Sequence, residues 1–262
     1  MEDATYFKLT KQPLLFVLAE FRFPVIMQME NFLPEIQEKL RQDLPLFEEQ
    51  QSQDIKLQND GIKIVNAKQW AFIDKQRQKT VILEPSRIIC SVSDYERFDG
   101  FEAFCLQALS ILKEVVNPSF IQRIGLRYAD LVVSEDDAVS VTEYVEPSLY
   151  NYASFGEVGG LVRKTNEFVL ETDEGYMIVR AMFGNHNLST FQDVNLPINL
   201  AVSNSESERV LLDFDHIWEA YGSKEPIEFE SDIISDKLKK MHQLSRKAFW
   251  CSITEKGIEA WK

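Results

Sequence analysis

The sequence predicts an α+β fold in which antiparallel sheets are covered by long helices. Three observations support this prediction. Short runs rich in β-branched and aromatic residues alternate with turn residues. Two long segments carry apolar side chains at the three-four spacing of an amphipathic helix. The order strand, helix, several strands, long helix occurs twice, which indicates a duplicated strand–helix–meander–helix unit.

A strand is predicted at residues 14–25, and a helix follows it from about residue 31. In residues 17–23, apolar residues alternate with a second set that includes Glu20 and Arg22, as in a strand with one buried face. Asn31 is a suitable N-cap for the helix, Pro34 is tolerated in its first turn, and Pro45 marks its end. The helix has the apolar stripe Phe32, Leu33, Ile36, Leu40 and Leu44.

A meander and a long helix complete the first half. Short strands are predicted at residues 55–58, 62–65, 70–73, 80–83 and 87–92, which gives four or five antiparallel strands. Asn59-Asp60-Gly61 suits the positive φ of a tight hairpin, and Pro85-Ser86 makes a second turn. The helix runs from Phe101 to Val116 and stops at Asn117-Pro118.

The second half repeats this order. We expect a long strand at 120–133, a weakly helical segment at 139–150, and a hairpin of 161–171 with 176–183. Strands at 196–202 and 209–217 and a helix at 231–250 follow. Two echoes support duplication: FRF at 21–23 resembles LRY at 126–128, and RIIC at 87–90 resembles RVLL at 209–212. The halves are residues 1–118 and 119–262, and the lack of a linker leaves open one compact body.

The charge restricts the classes of partner. The 262 residues contain 42 acidic and 28 basic side chains, for a net charge of −14, which repels phosphate backbones and suits a basic protein partner. No apolar run is long enough to span a bilayer, and no secretory leader is recognisable. Three widely spaced cysteines disfavour a disulfide framework and predict a cytoplasmic protein.

Two basic clusters could oppose this acidic field. They are Lys68, Lys75, Arg77 and Lys79, and Lys237, Lys239, Lys240, Arg246 and Lys247. We interpret both as solvated surfaces balanced by nearby acids. Nucleic-acid binding through the basic C-terminal helix is kept as an alternative.

The sequence predicts no catalytic residue, no metal site and no cofactor. The three histidines share no metal-ligand spacing, and Cys90 and Cys105 fit apolar positions. Cys251 lies near basic residues without a positioned histidine. The glycines at 156, 159 and 160 lack the residues of a phosphate-binding loop, which leaves a surface loop as the interpretation.

Three arginines and one histidine are the candidate ligand-binding residues. Arg123 and Arg127 share one face of a strand, and Arg22 is the equivalent of Arg127 if the halves are related. Together they could bind a carboxylate or phosphate. The alternative is that they pair with Glu20, Asp130 or acids of adjacent strands. His242 borders the apolar stripe of the last helix, where a hydrogen-bonded flank residue is the ordinary interpretation.

Two groups of residues carry a resemblance to a known family. They are the strand motif QRIGLRY at 122–128 and the C-terminal set Met241-His242, Phe249, Ile253-Thr254 and Trp261. With these motifs the chain resembles a sporadically distributed family of uncharacterised prokaryotic proteins of similar length. The resemblance implies a bacterial or archaeal cytoplasmic protein of accessory genes, and it supplies no activity or catalytic residue. Such a distribution is compatible with toxin neutralisation or phage defence.

Three functions follow as hypotheses. The favoured one is a non-enzymatic protein-binding module of the antitoxin, immunity or chaperone type, which recognises a basic protein. The second is a small anionic-ligand binder or enzyme, with a cavity between sheet and helix and Arg22, Arg127 and His242 at its mouth. The third is binding of RNA or DNA through residues 237–247, which predicts steep salt dependence.

Overall fold

The computed structural model describes residues 8–58, 61–134, 139–151, 157–186, 195–202, 207–221 and 225–262; for 51–67 and 185–186 only the backbone is described. These residues form a nine-stranded antiparallel sheet, a two-stranded sheet and four α-helices. The predicted α+β class is therefore confirmed. The expected turn at Asn59-Asp60 and the glycine at 156 lie outside the described residues.

The first half contains five strands of the large sheet and two helices. In chain order these elements are β1 (Leu14–Arg22), α1 (Leu33–Leu40), β2 (Leu46–Gln58), β3 (Gly61–Ile73), β4 (Lys79–Glu84), β5 (Arg87–Val92) and α2 (Phe98–Val115).

The second half contains the remaining strands and helices. Its elements are β6 (Phe120–Ile121), β7 (Arg123–Val133), β8 (Arg163–Thr172), β9 (Gly175–His186), β10 (Ser207–Glu219), β11 (Ile227–Glu228), α3 (Ser231–Ser252) and α4 (Glu255–Trp261). The segment expected to be weakly helical forms two single 3-10 turns, Val141–Glu143 and Pro147–Leu149.

The strand order divides at the centre of the sheet, with five strands of the first half on one side and four strands of the second half on the other. It runs β2-β3-β4-β5-β1-β7-β10-β9-β8. In each half, the first strand lies at the centre and pairs with the last strand of the following meander, after which a long helix begins. The halves join where β1 and β7 pair, with Leu18 opposite Arg127 and Arg22 opposite Arg123. This arrangement is the one that a duplicated unit would produce.

Strand register separates the two sequence echoes. Arg22 lies opposite Arg87 of β5, whereas Arg127 lies opposite Asp215 of β10. If Arg22 and Arg127 are equivalent, the counterpart of Arg87 is Asp215 and not Arg209. The echo at 87–90 and 209–212 is therefore out of register.

The structure differs from the prediction in three places. The segments 62–65 and 70–73 belong to the single strand β3. Residues 196–202 form no strand; Pro197 provides no backbone donor for a ladder, and the segment lies across the outer sheet face. Helix α4 was not predicted, and Thr254 caps it by accepting a hydrogen bond from Gly257 N at 3.2 Å.

The main core lies between one face of the sheet and the helices. Residues of α2 and α3 share it with alternate residues of the central strands, such as Phe21, Leu126 and Phe214. We call this the helix face, and the opposite side the outer face. Two smaller apolar clusters occupy the outer face, partly under residues 196–202. Among the described helices, none has the length and apolar character that spanning a membrane requires.

Candidate functional site

The three candidate arginines lie together on the outer face. In β7, Leu126 and Tyr128 belong to the core under the helices, so Arg127 points to the other side. Arg123 shares that side, and Arg22, opposite it on β1, does too. The expectation that Arg22 and Arg127 lie at the mouth of a cavity between sheet and helix is therefore wrong.

These arginines pair with acids of the same face. Arg22 Nε lies 2.7 Å from Glu20, and Glu20 is also paired with Arg87 at 3.0 Å and with Arg123 at 3.6 Å. Burial opposes the ionisation of Glu20, but the hydrogen bond and charge of Arg22 and the charges of Arg123 and Arg87 hold its pKa below the usual value. The described geometry is that of structural ion pairing.

A second ion cluster surrounds Asp213. Arg127 donates Nε and Nη2 to its two carboxylate oxygens at 2.6 and 2.8 Å, and Arg180 donates Nη1 at 2.8 Å. The Asp213 side chain is fully buried, so the paired cations compensate a charge that water does not reach. The alternative interpretation of Arg127, pairing with an acid on an adjacent strand, matches this geometry.

His242 lies on the opposite side of the sheet from the arginines. It projects from α3, and its Nδ1 shares a hydrogen bond with Tyr128 Oη at 2.8 Å. Its ring stacks on Phe98 at the start of α2, with centroids 4.1 Å apart and planes 1° from parallel. Two aromatic contacts and one hydrogen bond thus fix the imidazole between α2, α3 and β7.

A cavity of about 500 Å³ opens beside His242. Its walls come from β7 and β10, the start of α2, one side of α3 and the chain segment that precedes β1. Aromatic side chains and charged side chains both line it. The aromatic residues of the wall are Tyr95, Phe98, Tyr128, Phe214, His242, Phe249 and Trp250.

Asp130 is the buried acid of this cavity. It lies two residues after Tyr128 on β7, opposite the core residue Leu212 of β10, and therefore on the helix face. Only 4% of the residue is exposed. Within the described part of the chain, its carboxyl group has no hydrogen bond and no ion pair. Burial, aided by the nearby charge of Asp213, raises its pKa to about 8.

The neighbouring groups form an aromatic row. Tyr128 hydrogen-bonds to His242, and Tyr95 packs edge to face against Tyr128. Burial raises the pKa of Tyr95 to about 12 and also raises that of Tyr128. Burial, aided by the charge of Arg246, lowers the pKa of His242 to about 4. Near neutral pH this row is uncharged, and Asp130 is mostly protonated.

The sequence contains a signal that separates Asp130 from the arginines with which an ion pair is expected. Period-two alternation places it with Leu126 and Tyr128 on the apolar side of the strand, where an acid is unusual. Tyr95 gave no such signal, because its neighbours follow no clear period.

The other candidate residues have structural surroundings. His216 is fully buried, with Nδ1 3.2 Å from Met241 O and Nε2 3.0 Å from Thr172 Oγ1. Cys90 and Cys105 are buried, and Cys251 is exposed. The side chain of His186 is outside the described part of the structure. No group of three or more potential metal ligands occurs among the residues that the structure describes.

Five residues of the two basic clusters are paired with acids. Lys237 lies 2.6 Å from Glu174, and Lys239 lies 3.3 Å from Glu102. Other pairs of the two clusters are Lys68 with Glu30, Arg77 with Glu48, and Lys240 with Asp236. These pairs reduce the positive field that a nucleic acid would meet.

A separate apolar strip lies at the edge of the sheet. The outermost strand β8 exposes Phe168 by 40%, Val169 by 62% and Leu170 by 47%. Tyr176, on the adjoining part of β9, is 53% exposed. We call these four residues the β8 strip. A long edge strand with exposed apolar side chains is a common site of strand pairing.

Comparisons with known proteins supply no function for this chain, so a functional proposal must rest on the geometry described above. The resemblance to a prokaryotic family stays a prediction. No protein-family model matches the chain, and no curated protein matches it either.

Proposed function

We propose that this protein binds a small organic ligand in the cavity between the sheet and α3. The observation that carries the proposal is Asp130, a buried carboxyl group that faces the cavity and has no partner among the described residues. Ligand sites combine mostly apolar walls with a few converging polar groups, in volumes of roughly 300–1,000 Å³. A cavity of about 500 Å³ lies within that range.

The residues that would bind this ligand differ from the arginines expected from the sequence. Tyr95, Tyr128, Asp130 and His242 line the cavity, whereas Arg22, Arg123 and Arg127 do not. The hydrogen bond between Tyr128 and His242 fixes these two polar groups in position, which reduces the entropic cost of binding. We propose binding and assign no reaction to the site.

A compound screen with a blocked cavity tests this function. Gln243 lies on the cavity wall and is exposed, so Gln243→Trp adds bulk at the opening without disturbing the core. Lys247→Trp places the same side chain on an exposed position of α3 outside the cavity lining. We expect one or more compounds to raise the thermal midpoint of the wild type and of Lys247→Trp, but not of Gln243→Trp. A midpoint shift that survives in Gln243→Trp contradicts the proposal.

A second function, recognition of a basic protein, is supported by the β8 strip. Glu167 and Glu171 flank the exposed apolar residues of β8, and Asp173 and Glu174 form the adjoining turn. Glu167 and Glu174 are already paired with Arg180 and Lys237. A basic, extended segment would add a strand to this edge while its cations meet Glu171 and Asp173. This is the class of function that the sequence favours, a module of the antitoxin, immunity or chaperone type.

A designed peptide tests the second function. The probe is a labelled peptide of alternating lysine and valine, and the measurement is fluorescence anisotropy. We expect saturable binding that Val169→Lys abolishes and that Val25→Lys preserves, because Val25 is 67% exposed but lies outside the sheet. Binding that is equal in the two variants would show that the peptide uses another surface.

A further inference from the structure

We propose that the ligand of the cavity carries a cationic ammonium group, and that Asp130 is its anchor. This inference rests on the proposed small-ligand function and specifies the chemical class of the ligand. It differs from the anionic ligand that the arginine motif suggested. The argument depends on three features of the cavity: the isolated carboxyl group, the aromatic wall and the distribution of charge at the rim.

The first feature is a buried acid without compensation. A buried carboxyl group normally has hydrogen bonds or an opposite charge, because leaving it unpaired costs free energy. Arg127 faces the other side of the sheet and is occupied by Asp213. Lys8 and Lys239, which line the cavity, lie 3.2 and 3.3 Å from Glu96 and Glu102. A bound ammonium group would supply the partner that Asp130 lacks among the described residues.

The second feature is the aromatic wall. Tyr95 and Tyr128 pack edge to face with ring centroids 6.1 Å apart, and Phe214, Phe249 and Trp250 line the same space. Aromatic faces attract cations, and this attraction is strongest where water is excluded. A carboxylate at the inner wall with aromatic rings around it matches an organic ammonium ion in both charge and shape.

The third feature is the direction of the charge gradient. The cationic residues of the lining, Lys8, Arg97, Lys239 and Arg246, are all on exposed positions, whereas Asp130 is buried. A ligand would therefore direct its ammonium group inward. An anionic group at that depth would meet the carboxyl group of Asp130, so the same gradient disfavours a carboxylate or phosphate there.

The titration of Asp130 gives this inference a second signature. The charged and titratable groups that line the cavity with it come from four places: Tyr128 is on its own strand, Lys8 precedes β1, Tyr95, Glu96, Arg97 and Asp99 are around the start of α2, and Lys239, His242 and Arg246 are on α3. Asp213 of β10 acts from the other side of the sheet. An ammonium ion favours the ionised carboxylate. Below the pKa of about 8, binding must therefore release a proton from Asp130, and affinity rises as the pH approaches 8.

Three probes of similar size and different charge test the proposal. They are phenethylamine, 2-phenylethanol and phenylacetate, and the measurement is isothermal titration calorimetry with the full chain. We expect phenethylamine to bind at least tenfold more tightly than the other two. Asp130→Asn should weaken phenethylamine binding at least tenfold, and Asp94→Asn, at an exposed carboxylate outside the cavity lining, should change its affinity less than twofold.

Proton release separates a binding role of Asp130 from a structural one. Titrations at pH 7 in two buffers of different ionisation enthalpy should show release of about one proton with the wild type and none with Asp130→Asn. A cooperative thermal unfolding transition of Asp130→Asn verifies that the variant is folded. If it does not fold, the pH dependence of phenethylamine binding to the wild type gives the answer: affinity must rise from pH 6 to pH 8.

The outcomes distinguish this inference from the function on which it rests. Binding of the alcohol or the acid that equals amine binding, and is lost in Gln243→Trp, overturns the ammonium ligand but supports the cavity as a binding site. Amine binding that Asp130→Asn leaves unchanged overturns the role of Asp130. Amine binding that Gln243→Trp leaves unchanged contradicts both proposals.

Discussion

Arg127 and Asp130 lie three positions apart on β7, and the sheet separates their surroundings. Arg127 faces the outer side, where Asp213 receives two of its hydrogen bonds. Asp130 faces the helices, where no described residue forms an ion pair or a hydrogen bond with its carboxyl group. The same strand therefore carries one charge that the fold compensates and one buried carboxyl group that no described residue pairs with.

Removing Arg127 should destabilise the fold strongly. Arg127→Leu leaves the fully buried Asp213 with Arg180 as its remaining partner, so we expect a loss of about 3 kcal/mol in the free energy of unfolding. Arg41→Ala removes a pair between exposed side chains, with Glu38, and should leave the midpoint of denaturation nearly unchanged, because water screens exposed charges. Urea denaturation measures both losses, and equal losses would contradict the structural role of Arg127.

Asp130 should make the fold less stable as the pH rises from 4 to 8. Its folded-state pKa of about 8 lies above the ordinary value of 3.8, so the folded state binds more protons in this window. The free energy of unfolding should therefore fall with pH, by up to about 1.4 kcal/mol for each pH unit. Asp130→Asn should remove this dependence in denaturation curves at pH 5, 6, 7 and 8; an unchanged slope would show that Asp130 ionises freely.

His242 should have the opposite effect at lower pH. Its folded-state pKa of about 4 lies below the ordinary value of 6.5, so the unfolded state binds the proton first. Its contribution to stability is fully present above pH 6.5 and is lost as the pH falls toward 4. His242→Phe keeps a ring beside Phe98 but cannot be protonated, and it should reduce the loss of stability between pH 6.5 and 4. Matched slopes in the variant and the wild type would contradict this assignment.

Hydrophobic periodicity correctly predicts the helices and strands that have one side buried along their whole length. The stripes of α2 and α3 correspond to buried residues such as Leu109 and Leu238, because each helix has one side against the sheet. The apolar alternation at 196–202 is equally clear, yet it produces no strand. Asn199 N donates to Arg77 O at 2.6 Å, so the segment is held by the β3–β4 turn rather than by a ladder. The alternation of apolar residues indicates which side chains are buried, but it does not indicate which groups form hydrogen bonds with the backbone.

The apolar stripe of helix α3 should provide most of the stability that this helix contributes to the fold. Leu238 is fully buried, and Leu238→Ala should cost about 2–5 kcal/mol in the free energy of unfolding. Lys247 is exposed on the same helix, and Lys247→Ala should cost less than about 0.5 kcal/mol. Chemical denaturation followed by circular dichroism measures both. A loss below about 1 kcal/mol for Leu238→Ala would mean that the helix is attached mainly by its polar contacts.

For the whole molecule, the central feature is that both halves contribute to one sheet. The first strands of the two halves pair with each other along β1 and β7, and α2 and α3 share one core. The order of elements in each half could be predicted from sequence, because turns and periodicity are local. The junction of the halves, and the cavity between β7 and α3, depend on contacts between distant residues. The sequence patterns could not locate them, and they assigned the arginines to the wrong face of the sheet.

The two halves should unfold together. Separation would expose the backbone edges of β1 and β7 and the apolar sides of α2 and α3, so we expect a single calorimetric transition for the full chain. Fragments 1–118 and 119–262 should lack cooperative unfolding when produced separately and should co-purify when produced together. Two resolved transitions, or an independently folded fragment, would establish two autonomous domains.

The segment before β1 links the two ends of the described chain at the cavity. Thr10 N and Lys11 N donate to Trp261 O at 2.9 and 3.0 Å, and Gln12 Nε2 donates to Tyr95 O at 2.6 Å. One wall of the cavity is thus held by the last turn of α4. Ligand binding in the cavity should therefore stabilise the docked last turn of α4. Docking of that turn should strengthen ligand binding by the same free energy, since thermodynamic coupling is reciprocal. A bound ligand should slow amide hydrogen exchange in α4, far along the sequence from Asp130.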